Sequence, residues 1–290
     1  MTKGNEKKKM ILGSVGAIAA TTLVFGGISQ IVKAAEVSKT QTVPTSYTLS
    51  YVGPVNSTVP EDYVKKDYKV KFIDKDQPTV NDMKIEEAAE LASQNLWKIF
   101  HVDLSGQTLE MTYSPISTTQ LRAIWNVHVK VNDGLSYDFA LDAVTGENHS
   151  ISKWVYHKAD IRRGIDETLI KNNEEYQELA KAAAKTYQLV SNKVTSVKYI
   201  SQGFQENKAG AKNSDITFQV KSDKGEIAQL TFSRYTKELL SVEYSSWLKE
   251  ADRYQRQVEQ ETKGQVPDVV ITDELLKKVQ ETGLPIEIKK

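Results

Sequence analysis

The chain contains no cysteine. That removes disulfides, thiolate metal sites and thiol nucleophiles together. Histidine is scarce, with His101, His128, His149 and His157 as the four. No two of them have the i, i+4 spacing of a helical zinc pair, and His-Glu-x-x-His is absent. Neither a Gly-rich phosphate loop nor a Gly-x-Ser-x-Gly elbow occurs. Net charge is lacking as well, with 38 basic residues against 38 acidic. Without residues 1–34 the count is 33 basic and 37 acidic, a net charge of −4. A nucleic-acid surface needs clustered Lys and Arg to replace counterions, so no nucleic acid is expected as a partner. No catalytic, metal or cofactor residue is assigned.

What is present begins with one long uncharged run. Lys7-Lys8-Lys9 precedes Met10 to Val32, a basic segment followed by an apolar one, which is the pattern of an export signal. Val32-Lys33-Ala34 places small residues at −3 and −1 for cleavage before Ala35. The alternative is an uncleaved anchor, since roughly 20 helical residues span a bilayer; residues 10–32 would then be the only membrane contact. Residues 1–34 are thus a signal peptide or a membrane anchor, and both readings place the body outside the cytoplasm, secreted or anchored. Residues 35–81 read as a stalk, with short strands where Tyr47, Leu49 and Tyr51 and then Tyr68, Val70 and Phe72 alternate with polar residues.

The body is a duplication. A gapless shift of 91 residues lays Trp125–Trp154 over Ile216–Ser245, matching Val129 to Val220, Gly134 to Gly225, Thr145 to Thr236, Glu147 to Glu238 and Ser150 to Ser241. Each stretch reads as an antiparallel meander. Trp125, Val127, Val129 and Val131 share one face, and Ile216, Phe218 and Val220 repeat it. Asn132-Asp133-Gly134 and Asp223-Lys224-Gly225 read as hairpin turns with Gly at positive φ. Leu135, Tyr137, Phe139 and Leu141 form the next inward row, and Ala143-Val144-Thr145-Gly146-Glu147 a second turn.

The same shift aligns a helix. From Lys84 to about Phe100, Ile85, Ala88, Ala89, Ala92, Leu96 and Ile99 fall on one face of a 3.6-residue period. Their counterparts Tyr176, Leu179, Ala180, Ala183, Tyr187 and Val190 are all apolar or aromatic. Leu109, Met111 and Tyr113 suggest a first strand, echoed by Ile200, Gln202 and Phe204. A sheet with one apolar face needs a cover, and each repeat carries its own amphipathic helix. The expected fold class is α+β: two tandem units, each an amphipathic helix packed on a 3–4-stranded antiparallel sheet, over residues 82–155 and 173–247. Residues 156–172 read as a linker. Residues 248–290 read as a helical tail, with a helix from Trp247 to about Thr262, a short strand at Val269–Ile271 and a last helix from Thr272.

Candidate sites are few. Trp154 and Trp247 lie at strand ends, where a partner-facing role is plausible, whereas Trp125 belongs to an alternating core row. His149 and His157 with Asp142 or Glu147 assemble into a metal site only on paper; solvated surface histidines are the commoner case. Glu147 and Glu238 occupy equivalent turns, where holding the turn is the commoner role for a carboxylate.

The Ala/Glu-rich helix followed by a meander ending in Tyr-Asp-Phe-Ala-Leu-Asp-Ala-Val-Thr-Gly-Glu resembles the PepSY domain. The first repeat keeps that pattern at Asp142, Thr145, Gly146 and Glu147; the second departs, with Ser233, Thr236, Lys237 and Glu238. The resemblance covers about Asp82–Trp154 well and Asn173–Trp247 weakly. It implies a non-catalytic extracytoplasmic module with an envelope protein as partner, acting on a peptidase or a wall hydrolase. Two other classes stay open. An envelope enzyme of unrecognised type would need His149 or His157 in a cleft with perturbed carboxylates; a small-ligand carrier would need a large apolar cavity between helix and sheet.

Overall fold

The computed structural model describes residues 59–117, 120–191 and 193–262. The N-terminal run, the alternation at Tyr47–Tyr51, and the strand and helix expected beyond Pro267 lie outside these residues. The elements in order are β1 Lys69–Phe72, α1 Ile85–Phe100, β2 Thr108–Ser114, β3 Ile124–Asn132, β4 Leu135–Asp142 and β5 Asn148–Val155. There follow α2 Glu167–Lys171, α3 Glu174–Thr186, β6 Val194–Glu206, β7 Lys212–Ser222, β8 Ile227–Ser233, β9 Leu239–Glu243 and α4 Ser245–Thr262. The fold is α+β.

The two repeats share one sheet. Among the described residues nine strands run in the order β1-β2-β3-β4-β5-β9-β8-β7-β6, all antiparallel except the β1–β2 pair. The halves meet at β5 and β9 through Ser150 opposite Glu243, Ile151 opposite Val242 and Ser152 opposite Ser241. Val242 is the 91-residue counterpart of Ile151, so the chain pairs with its own copy about a pseudo-twofold axis, as an isologous dimer would. The join is short. Ile151 and Val242 are fully buried, at roughly 1.5–3 kcal/mol each, and outweigh any one of its hydrogen bonds at about 0.5–1.5 kcal/mol net.

Strand alternation makes the core. Phe72, Met111, Val127, Phe139, Ile151, Val242, Leu230, Phe218 and Tyr199 stand opposite one another, strand by strand, across all nine strands. The inner seven belong to one buried apolar cluster, and Phe72 and Tyr199 at the two ends pack against it. The next row on the other face, from Lys71, Glu110 and His128 to Thr231, Thr217 and Ser201, is polar throughout. One face therefore has to be covered: α1 packs over β1–β4 and α3 over β6–β8. Ala88, Ala89, Ala92, Leu96 and Ile99 of α1 are buried as their spacing predicts. The Trp125 indole N–H donates to the Met83 carbonyl at 2.9 Å and fixes the approach to α1.

Several local expectations need correction. Val131 is 37% exposed, because the β3–β4 register shifts between Lys130 and Asn132 and turns it out of the row. Gly134 is not among the positive-φ residues, whereas Gly225 is, at 78°. Helix α3 stops at Thr186, so Tyr187 caps it and Val190 lies beyond. In β6 an irregularity between Tyr199 and Ser201 displaces Ile200, and the core-facing residues are Val194, Val197 and Tyr199. Val70 in β1 is exposed, while Tyr68 and Phe72 pack on the core. The 156–172 segment contains α2, its first turn capped by the Asp166 side chain accepting from the Thr168 N–H. Contacts divide the chain after Ala251; the described part of the second unit continues α4 and holds an Arg256–Asp252 ion pair at 2.6 Å. Among the described residues no helix is long and apolar enough to cross a membrane.

Candidate functional site

Trp154 and Trp247 do not form one surface feature. Trp154 lies in β5 opposite Ser136, half-buried on the side away from α1 and α3. Trp247, in the first turn of α4, stacks its ring on His149 with centroids 5.5 Å apart and planes at 24°. His149 is not a surface histidine. It occupies the irregularity where Ala140 faces Ser150 but Leu141 faces Asn148, and it is 1% exposed. Its carbonyl accepts the Tyr244 N–H at 2.9 Å, and among the described residues neither ring nitrogen has a hydrogen-bond partner. Burial pushes its pKa down to about 4; Asp142 opposes that and the Arg122 charge reinforces it. The ring is neutral at ordinary pH. Nearby Glu243, largely buried, has its carboxyl pushed up to about 7 by the same loss of solvent.

Beside His149, Arg122 ties together three carboxylates. Its Nη1 lies 2.8 Å from Glu147 and 3.3 Å from Asp142, and its Nε 3.7 Å from Glu250 of α4. Burial works against the guanidinium charge, but the Glu147 hydrogen bond and the Asp142, Glu147 and Glu250 charges overcome it. Asp142 also accepts the N–H groups of Val144 and Thr145 at 2.9 and 2.8 Å, which folds the Thr145-Gly146-Glu147 turn. The second repeat closes the same turn with the Ser233 hydroxyl, accepting from Tyr235 and Thr236 at 3.1 and 3.0 Å, and Glu238 pairs with Lys153. These carboxylates hold turns and dock α4. The other histidines stand apart. His128 contacts Asp138 at 2.7 Å, and the His157 ring lies against Tyr235 while its backbone bridges to Lys212. Among the described residues no group of three potential metal ligands assembles.

The feature that sequence reading missed lies between α3 and β6. A cleft of about 460 Å³ is lined by Lys181, Ala184, Lys185, Gln188, Val190, Lys193 and Val194. Stepping back by 91 residues gives the counterparts of its helical wall, Lys181, Ala184 and Lys185: Glu90, Ser93 and Gln94 of α1. There the same place is filled. The Tyr63 hydroxyl donates to Glu90 at 2.9 Å and lies 2.9 Å from the Ser93 hydroxyl; the Tyr68 hydroxyl donates to Glu90 at 2.7 Å. The Trp97 indole N–H donates to Asp62 at 3.2 Å, with the Lys66 ammonium 5.3 Å from its ring. The Glu90 carboxyl is held below its usual range: burial opposes ionisation, but bonds from Tyr68, Gln94 and Tyr63 and the Lys65 charge prevail. The segment then runs into β1 along the outer edge of β2. Residues 62–72 thus fill in the first repeat the groove that no described segment fills in the second.

No protein-family model matches the chain, and no curated protein does. A similar solved structure is the Bacillus megaterium YpeB C-terminal domain, 9% identical, with a TM-score of 0.35, over 72% of this chain and 77% of that one.

Proposed function

We propose that this chain is a non-catalytic extracytoplasmic binding or regulatory module that holds a segment of another envelope protein, a peptidase or wall hydrolase, in the α3–β6 groove. One observation carries this reading: the groove of the first repeat is built around a chain segment, and its copy offers a similar frame with nothing in it among the described residues. The export-like pattern of Lys7–Lys9 followed by the uncharged Met10–Val32 supports the location. The resemblance of residues 82–154 to the PepSY domain agrees with the role.

The test is site-specific photo-cross-linking in cells making the full chain. A benzophenone side chain at Gln188, on the groove wall, should capture one dominant protein of the envelope. The same group at Glu178, on the exposed side of α3, should not. Equal yields from both positions, together with turnover of a wall or peptide substrate by the purified chain, would sink the proposal.

A further inference from the structure

The pseudo-symmetry goes further than an empty groove: it gives the occupant's chemistry. Strand β1 lies parallel to β2, with Lys69 opposite Thr108, Lys71 opposite Glu110 and Phe72 opposite Met111. Its side chains divide by face. Phe72 points into the core, edge-on to Trp125 at 5.9 Å, and Lys71 meets Glu110 at 2.9 Å on the other side. The equivalent edge belongs to β6, a 13-residue strand at the end of the sheet, paired only with β7 among the described residues. Such an edge presents unused N–H and C=O groups that an extended polypeptide can meet.

The charges on the two grooves are opposite. Glu90 of α1 is replaced by Lys181 in α3, and Gln94 by Lys185. Glu110 faces His128 and Lys198 faces Gln219, the counterpart of His128, so Lys198 stands where Glu110 stands. The first groove has Glu90 on its helix wall, Glu110 stands on the polar face of the same strand edge, and the occupant brings Lys65, Lys66, Lys69 and Lys71. The second groove has Lys181 and Lys185 on its helix wall, and Lys198 stands on the polar face of its strand edge; among the described residues Lys198 has no ion-pair partner and Lys181 has only the exposed Glu178 beside it on the helix. Resting on the binding role proposed above, we infer that the groove takes an acidic, aromatic-bearing segment of another protein. The segment adds to β6 as a parallel strand, with a carboxylate opposite Lys198 and others near Lys181 and Lys185. A second copy of β6 is disfavoured as occupant, because it would bring another Lys198 to a like charge.

The probe is a peptide of residues 62–72 in which Lys65, Lys66, Lys69 and Lys71 are each replaced by glutamate; the unaltered 62–72 peptide is the control. Titrated into the full chain by fluorescence anisotropy, the acidic peptide should bind at least tenfold more tightly than the control. The chain carrying both Lys181→Glu and Lys198→Glu should reverse that preference, which also shows the variant to be folded. Hydrogen exchange should slow at amides of β6 when the acidic peptide binds. Equal affinity for both peptides, a preference unchanged in the variant, or protection away from β6 would each overturn the inference. So would a dimer formed through β6 in the absence of peptide, or a synthetic polyphosphate matching the peptide's affinity without protecting β6. Capture at Gln188 with no peptide preference would retain the binding role and remove the acidic partner. Preference with reversal but no capture would do the opposite.

Discussion

The sharpest quantitative consequence comes from His149 and Glu243, two groups in neighbouring strands that burial shifts in opposite directions. His149 has a folded pKa of about 4 against an ordinary 6.5. Below pH 6.5 the unfolded chain takes up a proton that the folded chain refuses, so the stability tied to neutral His149 is complete above 6.5. It is lost as pH falls towards 4, at about 1.4 kcal/mol per pH unit and about 3 kcal/mol in all. Glu243 works the other way. Its folded pKa of about 7 against an ordinary 4.5 means that the folded state keeps a proton the unfolded state releases. Stability tied to it is complete below 4.5 and is lost as pH rises towards 7, also by about 3 kcal/mol. Between 4.5 and 6.5 the two slopes oppose, so the parent chain hides both. Substitution separates them. His149→Leu takes the residue found at the equivalent Leu240, itself buried. Relative to the parent it should gain about 3 kcal/mol as pH falls from 6.5 to 4, and Glu243→Gln should gain as much as pH rises from 4.5 to 7. Urea unfolding of the three proteins across pH 4–8 measures both differences, and the remaining titrating groups cancel. A His149→Leu difference that stays constant with pH would refute a buried, neutral His149.

Three further outcomes follow from the same geometry. Ile151→Val should cost about 0.5–1.5 kcal/mol, and Val242→Ile about 1–3 by overpacking. The double variant, measured by urea unfolding, should cost at least about 0.5 kcal/mol less than the sum, because the pair meets at the pseudo-twofold axis; simple additivity would count against that packing. Lys237 holds φ at 63° where Gly146 holds 72°, so Lys237→Gly should raise the melting temperature despite losing the exposed pair to Glu175. Gly146→Ala should destabilise by roughly 1–2 kcal/mol or more, since its Cβ would stand 3.0 Å from Leu91 and Met83 side-chain atoms. His128 has its pKa raised chiefly by the Asp138 hydrogen bond. NMR titration should place it above the ordinary 6.5, and Asp138→Asn should bring it down; no movement on substitution would remove Asp138 as the cause.

What could be read from the sequence was whatever repeats at a fixed spacing. The α1 face, the Leu109-Met111-Tyr113 strand and the Trp125–Leu141 rows follow from periods of 3.6 and 2, and the shift of 91 carried them into the second repeat. That shift breaks down between helix and first strand. The left-handed residue ending α1 is His101 and its counterpart after α3 is Gln188, 87 residues on rather than 91. Glu110 and Lys198 differ by 88, and the displaced Ile200 helps restore the spacing. A gapless comparison therefore laid Ser201 over Glu110 and concealed the charge reversal. Lys181 stands at the full 91 from Glu90, but both lie off the apolar face on which the helical repeat is legible. The burial of His149 left no mark of its own, because it depends on α4 returning to place Trp247 on the ring, a contact 98 residues distant.

Where two copies share one sheet, symmetry limits where a partner can add. The β5–β9 join uses one edge of each repeat, and among the described residues this leaves the outer edges for strand addition. On the first side β2 is covered by β1, a four-residue strand carrying Lys69 and Lys71 on its polar face. A short, charged terminal strand is a poor template for a further one. On the second side β6 is three times as long and carries three exposed residues, Thr195, Ser196 and Lys198, near its start. A long edge of this kind invites indiscriminate pairing unless something selects the occupant. The lysines of the groove wall, Lys181 and Lys185, and Lys198 on the strand edge supply a criterion, since a basic or neutral strand gains nothing from them. Weakening the lysines should therefore change which segments β6 accepts more than whether it accepts one. In Lys198→Gln, that predicts a smaller difference between the acidic and unaltered 62–72 peptides, with protection still centred on β6. Loss of protection at β6, with the peptide preference intact, would instead mean that the lysines bind alone and the strand edge contributes nothing.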